Sequence, residues 1–209
     1  AVFTTRAQQA APLRWVVLSV LATAAIVFTP GAFAQTATPT PDTPPPELCR
    51  VAPISFEDLQ AILATPIATP SASPTAPTIP EGTPADPETA AGITATLHEL
   101  IACFNAGEVL RAYSLYTPDY LRRIYSTQDP PTEAAYAVLA TPQPADADAR
   151  SAILDVAGVR VFDDGSAGAN VTIRYAHIPV PKTFFFTFVR AGDRWLIAGA
   201  LGEISFSVP

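Results

Sequence analysis

Residues 163–200 read DDGSAGANVTIRYAHIPVPKTFFFTFVRAGDRWLIAGA, and this stretch decides the fold. In its first part Ala167, Ala169, Val171, Ile173 and Tyr175 alternate with Gly168, Asn170, Thr172 and Arg174, the period of two that marks a strand with one buried face. A second strand over 182–190 sets Phe184, Phe186 and Phe188 on one face and Phe185 and Val189 on the other. It turns at Ala191, Gly192 and Asp193 into a third strand over 194–200. Upstream, 153–162 is strand-like with a phase slip at Gly158 that reads as a bulge, and Asp163, Asp164 and Gly165 supply the hairpin turn that follows it. Phe206 and Val208 are expected to extend a last strand.

Ahead of this meander the period is helical. Asp86 suits an N-cap, Pro87 the first helical position and Glu88 the positive end of the helix dipole. Ile93, Leu97, Leu100, Ile101 and Phe104 then mark one apolar face that ends at Asn105, Ala106 and Gly107. Shorter helices are expected over 108–116, over 118–126 after a Thr117 cap, and over 130–140 after Asp129, with a loop over 141–149. Helices followed by an antiparallel meander predict an α+β domain over 86–209, its helices packed on one face of a strongly curved antiparallel sheet.

Composition separates this domain from what precedes it. Proline accounts for 23 of the 209 residues, about twice ordinary usage, and the excess falls in the first 90 positions. Residues 15–28 are uncharged and mostly apolar, with Arg6 and Arg14 before them and Pro30, Gly31, Ala32, Phe33 and Ala34 after. This is the pattern of a signal peptide over 1–34, cut before Gln35. The stretch is shorter than the roughly 20 apolar residues that cross a bilayer, so a membrane attachment is expected only if the segment stays uncut.

Residues 35–48 are a Pro/Thr-rich tether with almost no bulky apolar side chain, expected to be extended and disordered. In 49–64, Ser55 and Asp58 match a capping box, and Phe56, Leu59, Ile62 and Leu63 recur at helical spacing. So short a helix needs a surface to dock on. A second Pro-rich spacer, 65–85, is expected to lie outside the fold. In an oxidising compartment Cys49 and Cys103 are expected to form a disulfide that staples the short helix to the domain. Closing a loop of about 55 residues is worth at most about 4 kcal/mol in the chain-entropy account.

With 12 basic against 19 acidic residues, and Lys182 the one lysine, no basic stripe can neutralise a run of phosphates, which excludes nucleic acid as a partner class. The preference for Arg over Lys, with abundant Ala, Pro and Thr, fits a GC-rich bacterial genome. Export would make the protein secreted or cell-surface and extracellular.

From about Pro87 to Phe206 the residues resemble the nuclear transport factor 2-like superfamily. The helical stretch LHELIACFNAGEVLRAYSLYTPDYL carries that resemblance, together with DDGSAGANVTIRY and FTFVRAGDRWLIAG. It implies a bent sheet wrapped around a long helix to form a cone, the fold of isomerases, dehydratases and cyclases and also of domains that only bind. No motif here maps onto a catalytic set of that superfamily, so no catalytic, cofactor or metal residue is assigned.

The residues themselves point the same way. G-x-G-x-x-G, P-loop, H-E-x-x-H and C-x-x-C patterns are missing from the sequence. His98 falls off the apolar stripe of its helix, His177 stands at a strand end, and Asp155 is expected to face solvent. Tyr113, Tyr116 and Tyr120, with Tyr125 beyond them, fall in the short helices that close the wide end of the resembled cone, which makes the first three candidates for a cavity mouth. Arg122, Arg123 and Arg174 are either solvated or available to an anion. The expectation is an exported, non-catalytic binding or interaction module taking a small apolar or aromatic ligand or a protein partner; the alternative is a small isomerase, dehydratase or cyclase. Intact mass of protein recovered from the medium should correspond to a chain starting at Gln35; a membrane-retained, uncut species would overturn the cleavage reading.

Overall fold

The structure, a computed structural model, describes residues 41–66, 79, 81–126 and 129–202. The leader with its cut site at Gln35, the first part of the tether, most of the 65–85 spacer and the Phe206/Val208 strand lie outside the described residues. Helices come first: α1 (Phe56–Ala64), α2 (Pro87–Asn105), α3 (Val109–Tyr113), α4 (Pro118–Tyr125) and α5 (Glu133–Leu139). The strands are β1 (Thr83–Pro84), β2 (Ala152–Val161), β3 (Ala167–Arg174), β4 (Lys182–Ala191) and β5 (Arg194–Leu201), joined in one open antiparallel sheet of five in sequence order.

Side-chain caps start every α-helix except α3. The Asp86 carboxylate accepts from the backbone N–H groups of Glu88 and Thr89 at 2.9 Å and from the Thr89 hydroxyl at 2.8 Å. These bonds hold its carboxyl below the usual 3.8. Ser55 and Thr117 cap α1 and α4 in the same way. The last helix begins at Glu133 instead of 130, with Thr132 as its cap. Pro131 disfavours a helical Pro130, so the chain stays extended until a hydroxyl can take the first free N–H groups.

The buried faces follow the two periods. Ile93, Leu97, Leu100 and Ile101 of α2 pack on Ala167, Ala169, Val171 and Ile173 of β3, on Phe184, Phe186 and Phe188 of β4, and on Trp195 and Ile197 of β5. Gly92 permits this approach, since a Cβ there would stand 2.9 Å from Trp195 Cδ1. The ladder slips between Ile153 and Asp155, between Ala157 and Arg160, and between Thr187 and Phe188. Such slips bend strands and sharpen their twist. The middle one contains Gly158, at φ 61°, where the sequence marks its phase slip.

Two Pro-rich margins belong to the fold, against expectation. Asp42 exchanges backbone hydrogen bonds with Ile153 at 2.9 and 2.8 Å, Pro44 is buried, and 46–48 forms a 3-10 turn, so the end of the tether is docked strap and not free chain. At the end of the spacer Thr83 and Pro84 pair with Val161 and Arg160, and the Ala85 N–H donates to the Val159 carbonyl at 3.0 Å. The outer side of β2 offers unpaired backbone groups, and short Pro-containing segments satisfy them at both ends.

The strap is held by the expected disulfide, with Cys49 and Cys103 Cα atoms 4.6 Å apart. Beyond it, the Glu99 carboxylate of α2 accepts from the N–H groups of Arg50 and Val51 at 3.1 and 2.7 Å. Asn105, 2% exposed, closes the same corner. Its amide nitrogen donates to the carbonyls of Pro44 and Ser151, both at 3.1 Å, and its oxygen accepts from Ser151 N–H at 2.9 Å. Just past the helix, Gly107 at φ 68° completes a Schellman turn, with Glu108 N–H on the Cys103 carbonyl and Gly107 N–H on that of Phe104. A Cβ on Gly107 would lie 2.1 Å from the Gln143 backbone.

Asn105→Asp should cost about 3 kcal/mol despite its identical shape. It replaces a donor to two carbonyls by a buried charge beside them. Urea unfolding should show this, with Asn105→Ala similar; a loss under about 0.5 kcal/mol would show that the corner does not need the amide.

Candidate functional site

Five tyrosines gather where the short helices meet the sheet. Tyr113 ends α3, Tyr116 follows it, Tyr120 and Tyr125 lie on α4, and Tyr175 lies just beyond β3. The Tyr113 and Tyr116 rings are 6.2 Å apart, Tyr113 and Tyr125 meet edge to face at 6.0 Å, and Tyr116 and Tyr120 do so at 5.2 Å. The Tyr125 and Tyr113 hydroxyls are 3.3 Å apart and share a hydrogen bond. Tyr175 packs on Phe184 with centroids 6.3 Å apart, which continues the aromatic row of β4 into the cluster.

The backbone fixes this arrangement. The Thr117 N–H donates to the Ile197 carbonyl and the Ile197 N–H to the Leu115 carbonyl, both at 2.9 Å, so 115–117 runs as a short parallel pairing along β5. That pairing orients Tyr116, and the Thr117 cap then sets the direction of α4. Opposite it, the Arg123 guanidinium lies 5.5 Å over the Tyr120 ring and also donates to the Ala198 carbonyl in the β5 slip.

Burial governs the phenols. Tyr113 and Tyr116 are each 5% exposed, whereas Tyr120 and Tyr175 are half-buried and open to solvent. Desolvation drives the Tyr116 hydroxyl well above its usual value, and the nearby phenols Tyr120, Tyr113 and Tyr175 add to this. Burial likewise raises Tyr113, with the Tyr125 contact contributing. Tyr175 is pushed up to about 12 by burial and by Tyr120. In Tyr120 burial also raises the value, against the pull of the Arg123 cation. Tyr113, Tyr116, Tyr120 and Tyr175 therefore keep their protons at physiological pH and can donate hydrogen bonds.

Of the candidate mouth residues, the structure brings Tyr113, Tyr116 and Tyr120 into one cluster, two of them inside the core and Tyr120 at its edge. Tyr175 also belongs to it, although its alternation in β3 marks it only as an inward strand residue. Asp155 and His177 are exposed. His98 is partly exposed and lies 3.3 Å from Asp42 of the strap. Arg122 pairs with Asp119 on its own helix. Among the described residues the buried polar side chains besides the phenols are Thr89, Thr96 and Asn105, so no carboxylate or imidazole is buried, and no group of three or more His, Cys, Asp or Glu could hold a metal ion.

A concavity away from the tyrosines was not foreseen. A groove of about 200 Å³ runs between Pro53, Leu110, Arg111, Tyr136, Leu139 and Pro142. Its polar rim is already engaged, with Arg111 on the Val51 carbonyl at 2.6 Å and on Glu108, and with the Tyr136 hydroxyl on the Ile54 carbonyl at 2.8 Å. Ligand pockets are usually about 300 Å³ or more and carry a few free polar groups, so this groove fits a packing seam better than a ligand site.

No protein-family model, curated protein or solved structure matches this chain. No helix among the described residues is long and apolar enough to cross a membrane.

Raised phenol values couple to stability with a definite sign. An unfolded tyrosine ionises near 10, so the folded state should lose stability as pH rises above that value towards the folded pKa, and keep it below. Difference absorbance near 295 nm should show Tyr175 titrating near 12 and Tyr113 and Tyr116 only on unfolding; early titration of all phenols near 10 would contradict their burial.

Proposed function

We propose that this chain is an exported, non-catalytic binding module, and that a small apolar or aromatic ligand lies against Tyr120 and Tyr175 with Tyr116 and Phe184 behind them. The observation that carries the reading is the phenol cluster itself. Its rings give an apolar wall, its hydroxyls stay protonated, and two of its members reach solvent. Binding sites of this kind combine mostly apolar walls with a few placed donors.

Catalysis of the isomerase, dehydratase or cyclase kind needs an acid or base with a suitably shifted pKa in the site. The buried phenols supply a donor without a base. In the proposed form the sheet curls around α2 as in the nuclear transport factor 2-like cone, a reading that draws on the order of helices and strands and on the three ladder slips. Export draws on the apolar leader pattern and on the disulfide.

A panel of apolar fluorophores and small aromatic acids, followed by fluorescence and by product analysis, tests this reading. Saturable binding without product is expected, with Tyr120→Ala weakening it about tenfold, or about 1.4 kcal/mol. Turnover would replace the module by an enzyme. Lack of binding by every probe, or equal binding by the variant, would remove the site from this cluster.

A further inference from the structure

A cation is fixed at the edge of the phenol cluster. Arg123 is exposed on α4, yet its guanidinium is held by α4 and β5 alike. It lies over the Tyr120 ring and donates through Nη2 to the Ala198 carbonyl. It also comes down on Gly199, where a Cβ would stand 3.4 Å from that nitrogen and 2.9 Å from Thr187 Oγ1. A side chain held in this way gives up little further rotamer freedom when it binds something. One arm of the planar fork is bonded to Ala198, and the fork has the shape that matches a carboxylate.

Among the described residues no carboxylate pairs with Arg123. The acid on its own helix, Asp119, is taken by Arg122, and Glu108 before α3 is taken by Arg111. On α1, which packs on α4, Asp58 accepts from its own cap Ser55 at 2.6 Å, and Glu57 pairs with neither arginine of α4. Asp155, the exposed acid of β2, stands opposite Thr172, whose side chain alternates to the face of β3 away from Tyr175. Arg174 and His177, on either side of Tyr175 in the chain, bring no negative charge, and Lys182 is already engaged. In a chain of net charge −7 the cluster thus lies beside a cation with no acid to balance it.

We infer that the ligand of this cluster is a small aromatic acid, its carboxylate taken by the open side of Arg123 and its ring lying against Tyr120 and Tyr175. The inference rests on the reading of the cluster as a binding site. The Tyr120 and Tyr175 hydroxyls are near enough to affect each other's ionisation, and both keep their protons, so they add donors and no charge. Donors beside a cation favour a ligand that brings its own anionic acceptor. An aromatic amine would be repelled, and a neutral ring would leave the fork unused. Because Arg123 is exposed, its effect is that of a well-oriented surface pair, about fivefold in affinity and weakened by salt.

The test is titration calorimetry of the full chain with 2-naphthoate and with 2-naphthamide, a neutral counterpart of nearly the same shape. The naphthoate is expected to bind about fivefold more tightly than the amide at low salt, with the ratio falling towards one in about 0.5 M salt and in Arg123→Gln. The ratio is the readout, since a merely structural role for Arg123 would weaken both probes alike and leave it unchanged. Equal affinity of the two probes for the wild-type chain overturns the inference and leaves the binding site in place. A ratio unchanged in the variant overturns it too, by removing Arg123 from the carboxylate. Binding of neither probe overturns the site itself, and the inference with it.

Discussion

The last turn of the long helix is the point on which the remaining structure depends. A helix end leaves four carbonyls without partners, and here it is also buried, so each must be answered from elsewhere in the chain. Gly107 turns the backbone back on the helix. Asn105 reaches sideways to Pro44 and Ser151, and its own carbonyl takes the Ala145 N–H at 2.9 Å. Two residues earlier, Cys103 binds the strap covalently. The strap, the turn before the sheet and the start of β2 thus take their places from a few residues of α2. Were this corner to open, Pro44 and the edge of β2 would lose their partners together.

Much of this architecture is legible in the sequence because it rests on local chemistry. Asp86, Ser55 and Thr117 cap helices as their side chains dictate, the alternation around Val171 and Phe186 gives strands with the buried faces expected of it, and Gly158 marks a bulge. The disulfide follows from two cysteines and an inferred compartment. What escapes is the docking of 41–48 and of Thr83–Pro84. Proline-rich segments have little intrinsic preference for a sheet, and they join this one only because β2 has an open edge, a tertiary circumstance that no local pattern records. The candidate site is legible as a crowd of tyrosines in 113–125. That Tyr175 joins them, and that Tyr113 and Tyr116 are buried while Tyr120 is not, depends on how 115–117 pairs with β5.

The interior keeps its polar content neutral. Thr96 donates to the Trp195 carbonyl at 3.0 Å, Asn105 is matched on both ends, and the phenols cluster with one another. Most charged groups stay at the surface or pair across it, as Glu99 does with Arg194 at 3.2 Å, while the Arg150 Nε is buried without a hydrogen-bond partner. Apart from that nitrogen the core is packed without a buried ionic group, and the phenols are its most versatile polar groups.

The covalent link between strap and helix also decides how the molecule carries a mechanical load. A pull on the tether enters at Asp42 and first meets the two hydrogen bonds to Ile153, which face the load singly and yield easily. Peeling then removes Pro44 and the turn over 46–48, less than about 2.5 nm of slack, until the chain is taut at Cys49. From there the force passes through sulfur into Cys103 on α2, and neither α1 nor the spacer that follows it is stretched. The sheet is loaded through its packing on that helix and not by unzipping from the edge of β2. Loaded from the Asp42 side, a domain built in this way gives a little under tension and then holds.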